Sequence, residues 1–154
     1  MSTEDIQNYY KVDERIITGG QPTEGQIRSV AEDGYQVVVN LATVDPRYSL
    51  EDESVLAQSV GLAYHHIPVE WAAPTAAEFD AFVAVMQQNQ DKRVLVHCAA
   101  NYRASAFYGL YAMQNLGWSE AQADALRAKL WQRQYPVWDA FIQQIKARIK
   151  ASHE

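Results

Sequence analysis

The sequence contains a single cysteine among its 154 residues, so no disulfide bond can form within the chain. Such sparing use of cysteine suits a reducing compartment. No apolar run approaches the length that is needed to span a bilayer. The first ten residues are polar and acidic, and they lack the basic and apolar regions of a signal peptide. We therefore expect a cytoplasmic location and no membrane partner.

Basic residues are in the minority. The chain has 13 lysines and arginines against 19 aspartates and glutamates, which gives a formal net charge of −6 at pH 7. This balance argues against nucleic acid as the main partner, although it leaves room for positive potential at one site. With 48% hydrophobic and 21% charged residues, the chain is typical of a soluble globular protein. Its length predicts one domain, residues 15–154, after a loosely held N-terminal arm, residues 1–14.

Predicted strands and helices alternate along the chain. Apolar, β-branched runs predict strands near residues 15–18, 37–41, 62–69 and 93–97. Capping boxes predict helix starts at the pairs Thr23/Gln26, Thr75/Glu78 and Ser119/Gln122. We therefore expect an α/β fold, a three-layer sandwich with a mainly parallel sheet of about four or five strands. Additional helices should follow at the C-terminal end.

One stretch combines residues of chemical interest. An apolar run of strand length, Val94–His97, leads directly to the only cysteine, Cys98. Small or turn-tolerant residues follow, then Arg103 and an apolar segment that contains Ser105 and predicts a helix from Ala104 to Leu116. A thiol that a strand delivers to a helix N-terminus lies where backbone N–H groups and the helix dipole favour a thiolate and an oxyanion. This stretch therefore predicts an anion site.

The same stretch resembles the phosphate-binding loop of the cysteine-dependent protein tyrosine and dual-specificity phosphatases. The residues that carry the resemblance are His97, Cys98, Arg103 and Ser105. The segment Tyr64–Thr75 follows the element order of the dual-specificity members. Three earlier segments resemble small bacterial members: Gly20–Thr23, Gly34–Tyr35 and Val39–Leu41. The resemblance implies a phosphatase without a metal or other cofactor, whose partner is a phosphorylated substrate or another oxyanion.

The resemblance also implies roles for individual residues. Cys98 would attack phosphorus, Arg103 would bind the equatorial oxygens, and a carboxylic acid on a separate loop would protonate the leaving oxygen. Glu70 is the candidate acid because it occupies the matching loop, whereas Asp45 and Asp80 are weaker candidates.

The remaining loop residues would form the anion cradle. Ala99, Ala100, Asn101 and Tyr102 would contribute substrate contacts, and Ser105 would hydrogen-bond the thiolate. Asn101 stands where the family usually has glycine, and asparagine is well suited to a positive φ. Tyr102 could also line the mouth of the pocket, or could be a packed aromatic residue.

The spacing between cysteine and arginine leaves two alternatives open. The phosphatase signature has five intervening residues, but only four separate Cys98 from Arg103, and Ala104 occupies the usual arginine position. Four residues is the spacing of rhodanese sulfurtransferases, which carry a persulfide on the cysteine. A second hypothesis is therefore sulfurtransfer through Cys98. A third is a non-catalytic module that binds phosphate or another oxyanion, since the family's acidic aspartate is missing.

Overall fold

The computed structural model describes residues 2–153, which form a five-stranded sheet in the order β1-β2-β5-β3-β4. Strand β1 is antiparallel to β2, and the other pairs are parallel. The strands are β1 (Tyr10–Lys11), β2 (Ile16–Gly19), β3 (Val37–Asn40), β4 (Ala63–His66) and β5 (Val94–His97). The helices are α1 (Glu24–Glu32), α2 (Glu53–Ser59), α3 (Ala76–Gln88), α4 (Tyr102–Asn115), α5 (Glu120–Leu130) and α6 (Pro136–Ser152).

Alternate residues of the central strands enter two separate hydrophobic cores. Val37 and Val39 belong to the core that includes Phe107 of α4, whereas Val38 belongs to the opposite core with Ile27 of α1. This alternation follows from the two-residue repeat of a strand. Both faces of the sheet are therefore covered by helices, which confirms the predicted α/β sandwich.

The predicted N-terminal arm is packed over much of its length. A 3₁₀ turn (Thr3–Asp5) precedes Ile6, which is buried in the same core as Ile27. Strand β1 then pairs with β2. The expectation of a loosely held arm is therefore wrong for these residues, because an apolar side chain and a strand anchor them. The division at residue 14 stays a prediction, and Met1 lies outside the described residues.

The carboxyl ends of the parallel strands meet at one edge of the sheet. The last residues of β2 and β3, Gly19 and Asn40, both align with His97 of β5. Loops that leave this edge are where open α/β sheets bind their ligands. None of the helices within residues 2–153 combines the length and apolarity that crossing a bilayer would require.

Candidate active site

Cys98 lies at the end of the central strand of the sheet. Its backbone N–H donates to the carbonyl of Gly19 at 3.2 Å, which extends the β2–β5 pairing by one residue. Its side chain is almost fully buried, at 1% exposure. The thiol is therefore held at the base of the site, where the chain leaves the sheet for helix α4.

Asn101 turns the chain from the strand into the helix. It adopts the left-handed conformation, with φ of 69°, and α4 begins at the next residue, Tyr102. The predicted helix start at Ala104 is thus two residues late. The Asn101 side chain is fully buried and faces the back of the loop, where it donates to the carbonyl of Asn8 at 2.8 Å and to the hydroxyl of Thr18 at 2.9 Å. The predicted positive φ at Asn101 is confirmed, but its side chain is not part of the pocket wall.

The two alanines after Cys98 have their carbonyls bound on the outer side of the loop. The backbone N–H of Gln21 donates to the Ala99 carbonyl at 2.9 Å, and the side-chain amide of Asn8 donates to that of Ala100 at 2.8 Å. Because C=O and N–H point in opposite directions across a trans peptide, the first bond turns the Ala100 N–H to the inner side. A side chain at Gly20 would lie 2.7 Å from the Ala99 carbonyl, so this close approach requires glycine.

Arg103 brings a positive charge to the pocket that Cys98 lines. Its guanidinium is buried, at 6% exposure, and donates from Nη1 to the carbonyl of Val69 at 2.8 Å. Among residues 2–153 no carboxylate lies within ion-pair distance of it. Four intervening residues therefore suffice to bring Arg103 into the pocket that Cys98 lines. They suffice because α4 starts at Tyr102, so that Arg103 lies in its first turn.

A buried ion pair supports the loop from the other side. Nε2 of His97 donates to Glu53 at 2.7 Å, and Nδ1 lies 3.1 Å from the carbonyl of Cys98. Both ring nitrogens of His97 therefore lie close to oxygen atoms. Burial alone would raise the pKa of Glu53, but the hydrogen bond and charge of His97 outweigh burial and lower it. Gln21 donates to the second carboxylate oxygen at 2.6 Å.

Ser105 does not make the predicted contact with the thiol. Its hydroxyl is fully buried and lies 2.6 Å from the carbonyl of Asn101 and 3.1 Å from that of Tyr102, to which it donates. The indole N–H of Trp131 donates to the same hydroxyl at 3.3 Å. The expected hydrogen bond from Ser105 to the Cys98 sulfur is wrong for this structure, because the Ser105 hydroxyl donates to carbonyls of the loop instead. Ser105 stabilises the helix start instead.

The pocket above Cys98 has a volume of about 360 Å³. Its lining consists of Trp71, Cys98, Ala99, Ala100, Tyr102, Arg103, Arg133 and Tyr135. The Trp71 ring packs edge-on against Tyr135, with centroids 5.0 Å apart, and lies 6.0 Å from the Tyr102 ring. Three aromatic rings and two arginines therefore surround the thiol, and no carboxylate is among these lining residues.

The candidate acids lie outside this lining. Glu70 is exposed, but it directly follows Val69, whose carbonyl Arg103 holds. Asp45 forms an exposed ion pair with Arg47 at 2.6 Å, and hydrogen bonds from Arg47 lower the pKa of Asp45 to about 2. Asp80 pairs with Arg148 at 2.7 Å on the outer surface. Of the three, only Glu70 adjoins a residue that contacts the pocket.

Sequence reasoning missed Glu53, Arg133 and Tyr135. Glu53 is 44 residues from His97 along the chain, and Arg133 and Tyr135 belong to the connection between α5 and α6. No motif or spacing marks these positions, because their proximity to Cys98 depends on how α2 and the C-terminal helices pack. An adjoining cleft of about 430 Å³, lined by Glu53 and the loop after β3, has no nucleophilic cysteine in its lining.

Solved structures with this fold include phosphatases. A candidate phosphatase of the DUF442 group from Shewanella putrefaciens is 32% identical, with a TM-score of 0.87 over 95% of each chain. Tk-PTP in its active form is 17% identical and shares the fold, with a TM-score of 0.74 over 94% of this chain and 97% of its own.

The curated relatives are much longer proteins. A beta-lactamase hydrolase-like protein from Xylella fastidiosa is 32% identical over 102 residues, which are 64% of this chain but only 23% of that protein. The chain therefore corresponds to less than a quarter of that relative's length. A family model, the DSP-PTPase phosphatase fused to NAD+ kinase, matches residues 1–136. The chain belongs to this family, within the superfamily of cysteine-dependent protein tyrosine and dual-specificity phosphatases.

Proposed function

We propose that the chain hydrolyses phosphomonoesters through a cysteinyl-phosphate intermediate on Cys98. The observation that carries this proposal is the buried Arg103 guanidinium, which lines the same pocket as Cys98 and has no carboxylate partner within residues 2–153. A buried charge without a counterion is costly unless an anionic ligand completes it. Phosphate is one of the oxyanions whose geometry a planar guanidinium fork matches.

In the first step the Cys98 thiolate attacks phosphorus. An S–P bond forms, the P–O bond to the leaving group breaks, and its electron pair stays on the leaving oxygen. Arg103 and the N–H groups at the start of α4 stabilise the charge on the equatorial oxygens. The ring of His97, whose Nδ1 lies 3.1 Å from the Cys98 carbonyl, helps to hold the start of the loop in place.

In the second step water releases the phosphate. We propose that Glu70 first donates a proton to the leaving oxygen and then, as a carboxylate, accepts one from the attacking water. The S–P bond breaks and the electron pair returns to sulfur, so Cys98 is regenerated. Support for Glu70 comes from its position directly after Val69, whose carbonyl accepts a hydrogen bond from Arg103.

The nucleophile is tested with para-nitrophenyl phosphate. Wild-type protein should release nitrophenol, and Cys98→Ser should lower kcat/KM by about 10³-fold or more. Rapid acid quenching during turnover should yield a protein whose mass is increased by one phosphoryl group on Cys98. Turnover that survives Cys98→Ser would overturn the mechanism.

The acid is tested by changing the leaving group. Glu70→Gln should reduce turnover of phenyl phosphate far more than that of para-nitrophenyl phosphate, because nitrophenolate leaves without a proton. Glu78→Gln, a partly exposed change at the start of α3, is the matched control. Equal losses on both substrates would show that Glu70 is not the general acid.

Sulfurtransfer is the second candidate, and the four-residue spacing between Cys98 and Arg103 is what favours it. It predicts thiocyanate from thiosulfate and cyanide, together with a mass increase of one sulfur on Cys98. A non-catalytic anion module instead predicts that phosphate raises the melting temperature while no phosphoester is hydrolysed. Each outcome is distinct from phosphatase turnover.

A further inference from the structure

The pocket contains a second arginine that the proposed reaction does not use. Arg133 lies in the connection between α5 and α6, and it lines the pocket together with Cys98 and Arg103. The two arginines approach from different elements, since Arg103 is in the first turn of α4. In the proposed reaction Arg103 and the loop after Cys98 bind the phosphoryl group. Arg133 is therefore available to bind another part of the substrate.

The charge of Arg133 has no counterion in residues 2–153. Its Nε donates to the Tyr135 hydroxyl at 3.2 Å, and its guanidinium carbon lies 5.4 Å from the Tyr135 ring centroid. Arg47 and Arg148, by contrast, are each paired with a carboxylate, Asp45 and Asp80 respectively. Tyr135 therefore orients Arg133 through Nε and leaves its terminal nitrogens available to an anion.

Aromatic rings line the same pocket as the two charged groups. Trp71, Tyr102 and Tyr135 contribute their rings to the pocket wall. Its volume of about 360 Å³ is near the lower end of the range for small-molecule sites. Because the lining has two arginines and no carboxylate, the local potential is positive in a chain whose net charge is −6.

We infer that Arg133 binds a second anionic group, so that the preferred substrates are small aromatic phosphomonoesters bearing a carboxylate or phosphate away from the ester. This inference rests on the proposed function only in that the phosphoryl end binds at Cys98 and Arg103. The aromatic part would pack against Trp71 and Tyr135, and the second anion would meet the terminal nitrogens of Arg133. Arg133 is then a specificity-determining residue.

Two matched esters test the inference. 4-Carboxyphenyl phosphate carries the second anion, and 4-carbamoylphenyl phosphate is its neutral analogue of similar shape. The ratio of their kcat/KM values should favour the carboxylate in the wild type and fall by about tenfold in Arg133→Gln. The change should come mainly from KM, because Arg133 contacts a part of the substrate that does not react. An unchanged ratio would overturn the inference.

Two further variants separate a local contact from net charge. Lys129→Gln removes the same charge from an exposed residue of α5 outside the pocket lining, and it should leave the ratio within about twofold. Tyr135→Phe keeps the ring but removes the hydroxyl that orients Arg133, so a partial fall of about threefold is expected. If Lys129→Gln lowers the ratio as much as Arg133→Gln, general electrostatics and not Arg133 selects the substrate.

Binding to Cys98→Ser keeps the inference separate from the reaction. Calorimetry on Cys98→Ser and on Cys98→Ser/Arg133→Gln should show an approximately tenfold loss of affinity for the carboxyl ester only. That result would support the Arg133 site even if the wild type hydrolysed neither ester, an outcome that would overturn the phosphatase proposal alone. Equal affinities of both esters for Cys98→Ser would overturn the Arg133 site while leaving phosphatase turnover untouched.

Discussion

The base and the mouth of the pocket are built in different ways. At the base, His97, Asn101 and Ser105 are fully buried, and each makes at least two hydrogen bonds. At the mouth, Trp71 and Tyr135 are only partly buried, and Arg133 is exposed. Contacts at the mouth are mostly between rings, with few hydrogen bonds to backbone.

This difference predicts that the base of the pocket carries out the reaction and that its mouth determines substrate preference. In the proposed reaction the base would position an oxyanion through backbone groups held by β2, the N-terminal arm and α2, so small changes there should affect folding and reaction together. The mouth is formed by two loops, whose Trp71 and Tyr135 pack on the hydrophobic core while Arg133 is exposed. Substitutions of Arg133 should therefore alter substrate preference and leave stability nearly unchanged.

The largest expected effect at the base comes from Glu53→Gln. This change removes the carboxylate that pairs with the buried His97 ring, and it should lower the free energy of unfolding by about 3–5 kcal/mol. Urea denaturation near neutral pH measures the loss. Glu51→Gln, an exposed change two residues away, should stay within about 0.5 kcal/mol of wild type. Similar stabilities of the two variants would contradict the proposed support role.

The pH dependence of this effect has a defined sign. Because the folded protein lowers the pKa of Glu53 below its ordinary value of 4.5, the stabilisation is fully present above that value. It is lost as the pH falls through the lower, folded-state value. The difference in unfolding free energy between wild type and Glu53→Gln should therefore shrink below pH 4.5. A difference that grew on acidification would contradict this assignment.

Arg103→Lys should have the next largest effect. A lysine has a single charged nitrogen and no planar fork, so kcat/KM for para-nitrophenyl phosphate should fall by about 10²-fold. The protection by inorganic phosphate against thermal unfolding should fall as well. Arg47→Lys, at an exposed arginine outside the pocket, is the control. If both variants retained full activity, Arg103 would not bind the transferred phosphoryl group.

Two substitutions at Asn101 separate the contribution of its backbone conformation to stability from that of its side-chain hydrogen bonds. Asn101→Gly keeps access to the positive φ but removes the bonds to Asn8 and Thr18, so the free energy of unfolding should fall by about 1–2 kcal/mol. Asn101→Ala loses the same bonds and also places an alanine in the left-handed region, which should cost about 1 kcal/mol more. Thermal denaturation of the two variants gives the order. Equal losses would show that the conformation contributes nothing.

The smallest effect is expected for Asp45→Asn. The Asp45 carboxyl, whose pKa Arg47 lowers to about 2, stays ionised at neutral pH and cannot donate a proton. Activity on phenyl phosphate should therefore stay within about twofold of wild type. A collapse of activity would identify Asp45 as the acid in place of Glu70.

Local patterns predicted most of the framework. The three capping boxes at Thr23, Thr75 and Ser119 are all present, and each begins a helix at the following residue. The β-branched run at 37–41 is a strand buried on both faces. Strand β1 was not predicted, since two residues give no periodicity and depend on pairing with β2.

The candidate site was predictable in part. The order of Cys98, Arg103 and Ser105 indicated a loop at a helix start, and the structure has that loop. The hydrogen bond assigned to the Ser105 hydroxyl was wrong, because the nearest acceptor depends on how the loop closes. That closure depends in turn on Asn8, which donates to the Ala100 carbonyl from 92 residues away.

The sequence by itself determined the strand that ends at Cys98, the left-handed turn at Asn101 and the alternation of strands with helices. These features follow from residue types and from spacings of a few positions. Only the tertiary structure decided that Glu53 pairs with His97 and that Arg133 and Tyr135 reach the pocket. Such contacts join segments tens of residues apart, and the packing of helices against the sheet, which no local pattern encodes, brings them together.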